Sequence, residues 1–193
     1  MMKFIPDDAT TILDIGCDEG AFSQEIKKRT IREVWGIEII SQCAEKAKKI
    51  LDRVMAGDIE IDDFDLPNDY FDCILEHFKD PWSVLRRLKN NLKKNGSLIA
   101  SIPNVRYYKN IKALLLRKEW NYESYGILDS GHFRFFTYKS ILSMFDECGY
   151  SVIKIEGINP MGLSWKLKLG NMILRDFFDD VKYLQFSCIA KIK

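Results

Sequence analysis

The stretch Ile12-Leu13-Asp14-Ile15-Gly16-Cys17-Asp18-Glu19-Gly20-Ala21-Phe22 decides how the rest of the chain is read. Thr11 to Ile15 is a short apolar run carrying one carboxylate, Gly16 and Gly20 bracket a turn, and Phe22 to Arg29 has helical spacing. Strand, tight turn and helix start in succession make a natural ligand cradle. Glycine lets backbone approach a bound group, and the first helical turn leaves N–H groups unpaired. An ordinary strand-to-helix turn has the same local pattern, so the residues downstream of Arg29 decide between the two.

After the first helix, Glu33 to Glu38 reads as a second buried strand, again with a carboxylate at its end. Ser41 is expected to cap a helix running to about Leu51. Val54 to Asp58 is a third strand, also ending in an acid. This βαβα rhythm predicts a parallel sheet with right-handed crossovers. Ile59 to Asn68 is acidic and irregular, and Tyr70 to Leu75 is a fourth strand. Pro81 to Leu92 places Trp82, Leu85, Leu88 and Leu92 on one helical face, and Asn95-Gly96 is expected to stop that helix before a fifth strand at Ser97 to Ile102. Val105 to Arg117 suits a further helix. Thr137 caps another that runs to Cys148 and ends at Gly149, and Tyr150 to Glu156 and Lys182 to Ile192 alternate as the last two strands.

The composition narrows the class of partner. At 193 residues with 47% apolar content the chain can bury one substantial core. Lys plus Arg at 29 against Asp plus Glu at 28 gives no global field for nucleic acid or an anionic membrane, and a small-molecule substrate is the partner expected. Cys17, Cys43, Cys73, Cys148 and Cys188 are odd in number, scattered and without a C-x-x-C pair, as expected of free thiols in a reducing compartment. With only His77 and His132 in the chain, no metal site is expected. No apolar run approaches the roughly 18 to 20 residues of a membrane span, so stable membrane insertion is not expected and the location read from the sequence is cytoplasmic.

Acids at the ends of three successive strands are informative together. In an open parallel sheet ligands bind beyond the carboxyl ends of the strands, near the point where strand order reverses. Asp14, Glu38 and Asp58 then face one crevice. Glu38 lies about 20 residues beyond the glycine turn, where a carboxylate meets the ribose hydroxyls of a nucleoside.

With these residues in place the chain resembles a class I S-adenosylmethionine-dependent methyltransferase. Asp14-Ile15-Gly16-Cys17-Asp18-Glu19-Gly20 is similar to that superfamily's D-x-G-x-G-x-G loop. Leu75-Glu76-His77-Phe78-Lys79-Asp80-Pro81-Trp82 resembles the L-E-H-x-x-D-P-W run of its small-molecule branch, and Lys93-Lys94-Asn95-Gly96 the turn before its fifth strand. Ser101-Ile102-Pro103-Asn104 and His132-Phe133-Arg134-Phe135-Phe136-Thr137 are similar to the same branch. Two features depart from it: Asp18 stands where the family has glycine, and Ile74 runs straight into Leu75-Glu76-His77. The shorter junction either trims the edge of the site or reflects a segment absent from this numbering.

The resemblance implies a doubly wound, Rossmann-like α/β sheet of seven strands, mostly parallel with an antiparallel last strand and helices on both faces. It implies one methyltransferase domain over 1–193, with an insertion at about 158–180 between the last two strands. It also implies S-adenosylmethionine as cofactor, held by Asp14, Gly16, Cys17, Asp18, Gly20, Glu38, Ile39, Asp58, Ile59 and Leu75, and methyl transfer to a small molecule. Among these, Glu38 is expected on the ribose and Asp58 on the adenine amino group. His132 and His77, the only imidazoles, are the candidates for a catalytic base. Supporting the loop before the last helix, or the loop after strand four, is the competing role of each. Arg134 suits either a clamp on an acidic substrate or a surface ion pair. Tyr107, Tyr108, Trp120, Tyr122 and Tyr125 either line the acceptor pocket or form a satellite core. Trp165 to Phe177 reads as a helix packed on the sheet, a lid, a homodimer contact or a membrane-surface helix. Two rival readings are a nicotinamide-dependent oxidoreductase, disfavoured because G-x-G-x-x-G is absent, and a degenerate methyltransferase fold serving as a binding or regulatory module.

Overall fold

A computed structural model describes residues 1–29, 33–76, 81–123, 126–128, 134–162 and 178–193. Its strands are β1 (Thr11–Ile15), β2 (Glu33–Glu38), β3 (Arg53–Ala56), β4 (Phe71–Glu76), β5 (Leu92–Pro103), β6 (Tyr150–Pro160) and β7 (Tyr183–Ile192). Helices α1 (Ala21–Arg29), α2 (Ser41–Ala47), α3 (Pro81–Leu88), α4 (Tyr108–Lys112) and α5 (Tyr138–Glu147) connect them. The strands form one sheet in the order β3-β2-β1-β4-β5-β7-β6. All neighbours from β3 to β5 are parallel, and β7 runs antiparallel to both β5 and β6. The doubly wound sheet with an antiparallel last strand is therefore as expected.

The period-2 alternation of buried strands assigns side chains to two faces. Leu13, Ile15, Leu98 and Ala100 join Val84, Leu85 and Leu88 of α3 and Ile141, Met144 and Phe145 of α5. On the other face Ile12, Cys73 and Ile99 meet Ile26 of α1 and Ala47 of α2. Helices α1 and α2 thus cover one face and α3 and α5 the other, as right-handed crossovers in opposite directions require. The reversal falls between β1 and β4, where Asp14 pairs with Leu75.

Several boundaries differ from the sequence expectation. Helix α3 stops at Leu88 and not at Leu92. The cause is Asn90-Asn91: their carbonyls accept from the backbone N–H groups of Asp69, Tyr70 and Phe71, and Asn91 Nδ2 donates to the Leu66 and Pro67 carbonyls. Leu92 then pairs with Phe71 and Ser97 with Cys73, so Asn95-Gly96 lies in a bulge of β5 and ends no helix. Strand β3 ends at Ala56, before Asp58. Ser41 is the first residue of α2, not its cap, and α2 ends at Ala47. Strand β6 continues to Pro160, so the connection to β7 begins later than expected, and 163–177 lies outside the described residues. The capping of α5 is as expected: Thr137 Oγ1 accepts from Ser140 N, Ser140 Oγ accepts from Thr137 N, and Gly149 follows at φ +77°. The five cysteines are free, four of them buried. Among the described residues no helix is long and apolar enough to cross a membrane.

The β5 bulge is fastened at the amino-terminal end of the sheet by Asp72. Its Oδ2 accepts from Thr10 N (3.0 Å), Thr10 Oγ1 (2.9 Å), Thr11 N (3.1 Å) and Thr11 Oγ1 (2.9 Å), and its Oδ1 from Lys93 Nζ (2.9 Å). Burial alone would raise this carboxyl's pKa, but the donors from Lys93, Thr10 and Thr11 hold it well below the usual range. Asp72→Ala leaves those donors unpaired and is expected to lower stability by about 2 kcal/mol. Urea denaturation at pH 7 checks this, with the midpoint falling at unchanged m-value.

Candidate functional site

The carboxyl ends of β1 and β2 lie side by side, Asp14 opposite Gly36 and Ile15 opposite Ile37. The loop that leaves β1 is tied to β2 at once, Gly16 N and Cys17 N both donating to the Ile37 carbonyl (2.8 and 3.3 Å). It then passes through three left-handed residues, Gly16 (φ +75°), Asp18 (φ +50°) and Gly20 (φ +85°). Asp tolerates that region better than most residues, which is how Asp18 replaces a glycine without undoing the turn. At Gly20 close approach adds to the backbone requirement: a Cβ there would stand 2.7 Å from Leu51 Cδ1.

This turn brings two carboxylates together out of water. Asp14 is 4% exposed and Glu38 6%. Asp14 Oδ2 accepts from Ser23 Oγ (2.5 Å) on α1. Glu38 Oε2 accepts from Asp18 N (2.9 Å) and its Oε1 from Ile40 N (2.8 Å). Among the described residues neither carboxylate is paired with a cation. Burial pushes the Asp14 carboxyl up to about 6 against the opposing Ser23 hydrogen bond, and the Glu38 charge adds to the rise. Burial, followed by the charges of Asp14 and Glu38, pushes the Cys17 thiol up to about 12, which leaves it protonated and unreactive. The Asp18 carboxylate is hydrogen-bonded to the Cys43 thiol on α2 and raises that thiol's pKa.

At the neighbouring strand tip Gly57 N donates to the Glu38 carbonyl (2.9 Å), which sets Asp58 beside the end of β2. Asp58 Oδ1 accepts from Glu60 N (2.9 Å), and Asp58 N donates to Asp62 Oδ2 (2.7 Å). Of the apolar positions, Ile39 is 51% exposed beside Glu38, whereas Ile59 is buried in the larger core, so its side chain is a packing group. Leu75 pairs with Asp14 in the sheet. The structure thus gathers Asp14, Gly16, Cys17, Asp18, Gly20 and Glu38 in one loop region, with Leu75 and Asp58 adjoining. His77 and His132 lie outside the described residues.

Ser23 and Gly36 are site residues that the sequence reading did not single out. Ser23 is fully buried, and a hydroxyl on the inward side of an amphipathic helix was the available signal. Gly36 leaves room for the Cys17 sulfur, which would stand 2.6 Å from a Cβ there; glycine inside a strand marks such close approach. The aromatic cluster divides in two: Tyr107 stacks edge-on with Tyr108 (5.1 Å), while Trp120 and Tyr122 gather on Phe135 (5.2 and 6.4 Å). Tyr125 lies outside the described residues, and Arg134 is exposed.

A buried acidic cradle with spare acceptor lone pairs suits a cationic ligand carrying hydroxyl or amino groups, and it repels phosphate. Sheet order, antiparallel β7 and acids at the tips of β1 and β2 define the Rossmann-like architecture of methyltransferases. The family described as a methyltransferase domain matches residues 2–155, and the chain belongs to it. No curated protein matches the chain in sequence. Among solved structures, a SAM-dependent methyltransferase from Archaeoglobus fulgidus superposes with a TM-score of 0.69 at 18% identity, covering 95% of this chain and 86% of that one. An S-adenosylmethionine-dependent methyltransferase from Mesorhizobium loti gives 0.65 at 13% identity, with 98% and 94% covered. A TehB-like SAM-dependent methyltransferase from Corynebacterium glutamicum gives 0.60 at 16% identity, with 100% and 84% covered. At these identities the likeness is one of fold.

The raised pKa of Asp14 makes a signed prediction. A carboxyl at about 6 in the folded chain and 3.8 unfolded contributes stability below pH 3.8 that is lost as pH rises through 6. The ligand-free protein is therefore expected to gain about 2–3 kcal/mol from this group between pH 7 and pH 4. Asp14→Asn removes that part of the slope, measured by urea denaturation across the range.

Proposed function

We propose that the chain binds S-adenosylmethionine at the carboxyl ends of β1, β2 and β3 and transfers its methyl group to a small-molecule acceptor. The observation that carries this reading is the pair of buried carboxylates, Asp14 and Glu38, joined through the left-handed glycine loop. When bound, this cofactor supplies a methyl already activated on a sulfonium, so the protein's task is to orient an acceptor and keep water away.

The residues present fit such a group. Each Glu38 oxygen accepts one backbone N–H, which leaves further lone pairs for the two ribose hydroxyls. Asp58 at the tip of β3 takes the adenine amino group, and exposed Ile39 offers an apolar surface beside it. Asp14 and the loop of Gly16, Cys17, Asp18 and Gly20 form the floor under the amino-acid portion. The positive charge of the ligand complements Asp14, whose ionised form is otherwise uncompensated. Asp18 keeps the left-handed turn, and its backbone N–H fixes Glu38 as that of a glycine would. A dinucleotide would set its pyrophosphate against the same acids, which disfavours the oxidoreductase reading.

Titration calorimetry with S-adenosylmethionine and, separately, NAD tests the cofactor. The chain is expected to bind the former, with Glu38→Ala weakening it roughly 10- to 100-fold through loss of charged hydrogen bonds. Binding of NAD alone overturns the proposal, and binding of neither at millimolar concentration favours the non-catalytic module. For the chemistry, the base role falls to His132, with His77 the alternative. Transfer of a radiolabelled methyl into a small-molecule extract is expected to fall roughly 10²- to 10⁴-fold in His132→Asn at unchanged cofactor affinity. Equal transfer by wild type, His132→Asn and His77→Asn removes an imidazole base from the mechanism.

A further inference from the structure

The segment that follows β5 has a rigid root and a bare tip. At the root Asn104 is fully buried; its Nδ2 donates to the carbonyls of Asp180 (2.8 Å) and Tyr183 (3.0 Å), and its Oδ1 accepts from Arg106 N (3.0 Å). Arg106 reaches the Asp180 carboxylate through Nε (2.7 Å) and a terminal nitrogen (3.2 Å). Tyr107 is buried with its hydroxyl against the Met161 sulfur. Beyond it, α4 continues as a π-helix over Ala113–Arg117, and neither part buries a side chain. Leu114, Leu115 and Leu116 are 47%, 70% and 73% exposed.

From the root of the segment through Lys118 the charge has one sign. From Arg106 to Lys118 the sequence carries Arg106, Lys109, Lys112, Arg117 and Lys118 and no carboxylate, in a chain whose net charge is +1. Asp180 answers Arg106 and Glu119 answers Arg117 (3.0 Å). Lys109, Lys112 and Lys118 are exposed, and among the described residues no carboxylate pairs with them.

We infer that residues 108–118 are a peripheral docking arm for an anionic lipid bilayer, Leu114 to Leu116 entering the interface while Lys109, Lys112 and Lys118 meet the headgroup phosphates. Three consecutive leucines occupy roughly half of a helix circumference, so a flat protein partner would leave part of them in water whereas immersion covers them all. Two-fold pairing with a second copy would bring the same lysines against one another. Nucleic acid would use the cations and leave the leucines exposed. A basic helix bearing an apolar tip matches the requirements of interfacial binding, in which apolar burial and attraction to acidic headgroups add.

Co-sedimentation with vesicles of phosphatidylglycerol mixed into phosphatidylcholine tests the assignment, with no cofactor present, so the outcome is separate from that of the methyl-transfer reading. The wild-type chain is expected to pellet with the mixed vesicles, more weakly with pure phosphatidylcholine, and less as salt rises. Replacing Lys109, Lys112 and Lys118 by Gln should lower the partition coefficient about fivefold per charge, about a hundredfold together. Replacing Leu114, Leu115 and Leu116 by Ser should lower it at least about tenfold. All six positions are exposed, and an unchanged circular dichroism spectrum confirms the fold. Absence of wild-type binding at low salt overturns the proposal, as does binding unchanged in both variants. A dimer in sedimentation equilibrium that the Leu→Ser variant loses would assign the leucines to self-association instead.

Discussion

Two carboxylates held out of water at adjacent strand tips are the constraint that organises this molecule. Parallel pairing of β1 and β2 fixes Asp14 opposite Gly36, and two residues further on Glu38 leaves the same sheet end. Their desolvation and mutual repulsion oppose folding, and one hydroxyl and two backbone N–H groups offset them only in part. One of those N–H groups belongs to Asp18, and it points at Glu38 because the loop is left-handed at residues 16, 18 and 20. Loop shape and site electrostatics are therefore a single device. A site of this kind retains an unmet demand for positive charge, as expected where stability is given up to binding.

The opposite end of the sheet shows what the same side chain does under other conditions. Asp72 is only partly buried, accepts five hydrogen bonds and sits with Lys93, and its pKa is held below the usual range. Asp14 is nearly fully buried and has one hydroxyl partner besides a carboxylate neighbour, and its pKa rises to about 6. Donor number and burial, not residue type, separate a fastening group at the amino end from an under-donated, desolvated carboxylate at the carboxyl end.

Much of this was legible in the sequence. Apolar runs ending in acids marked β1 and β2 correctly at both ends, because buried parallel strands carry little besides their hydrophobicity. Thr137 and Gly149 fixed α5 through local capping chemistry. The misplacements have tertiary causes. The end of α3 depends on Asn90-Asn91 meeting residues 69–71, and Asn95-Gly96, a helix stop in isolation, is a bulge because Asp72 ties Lys93 across to Thr10 and Thr11. The extension of β6 to Pro160 is dictated by pairing with β7, a long-range partner that no local pattern announces. Within the site, the acids and glycines were readable from spacing. Ser23 and Gly36 left only generic signals, a hydroxyl on a helix and a glycine in a strand, and their partners Asp14 and Cys17 are met only in the folded chain.

The antiparallel β7 links the family architecture to the arm. Because β7 reverses direction, its first residues lie at the carboxyl end of β5, which brings the carbonyls of Asp180 and Tyr183 within reach of Asn104. In an all-parallel sheet that end of the neighbouring strand would instead be leaving toward its own crossover. The reversal therefore supplies a fixed anchor where the chain departs after β5, and beyond it no residue of 108–118 is fully buried. The arm leaves from the same end of the sheet as Asp14 and Glu38, because β1, β2, β4 and β5 all run parallel toward it.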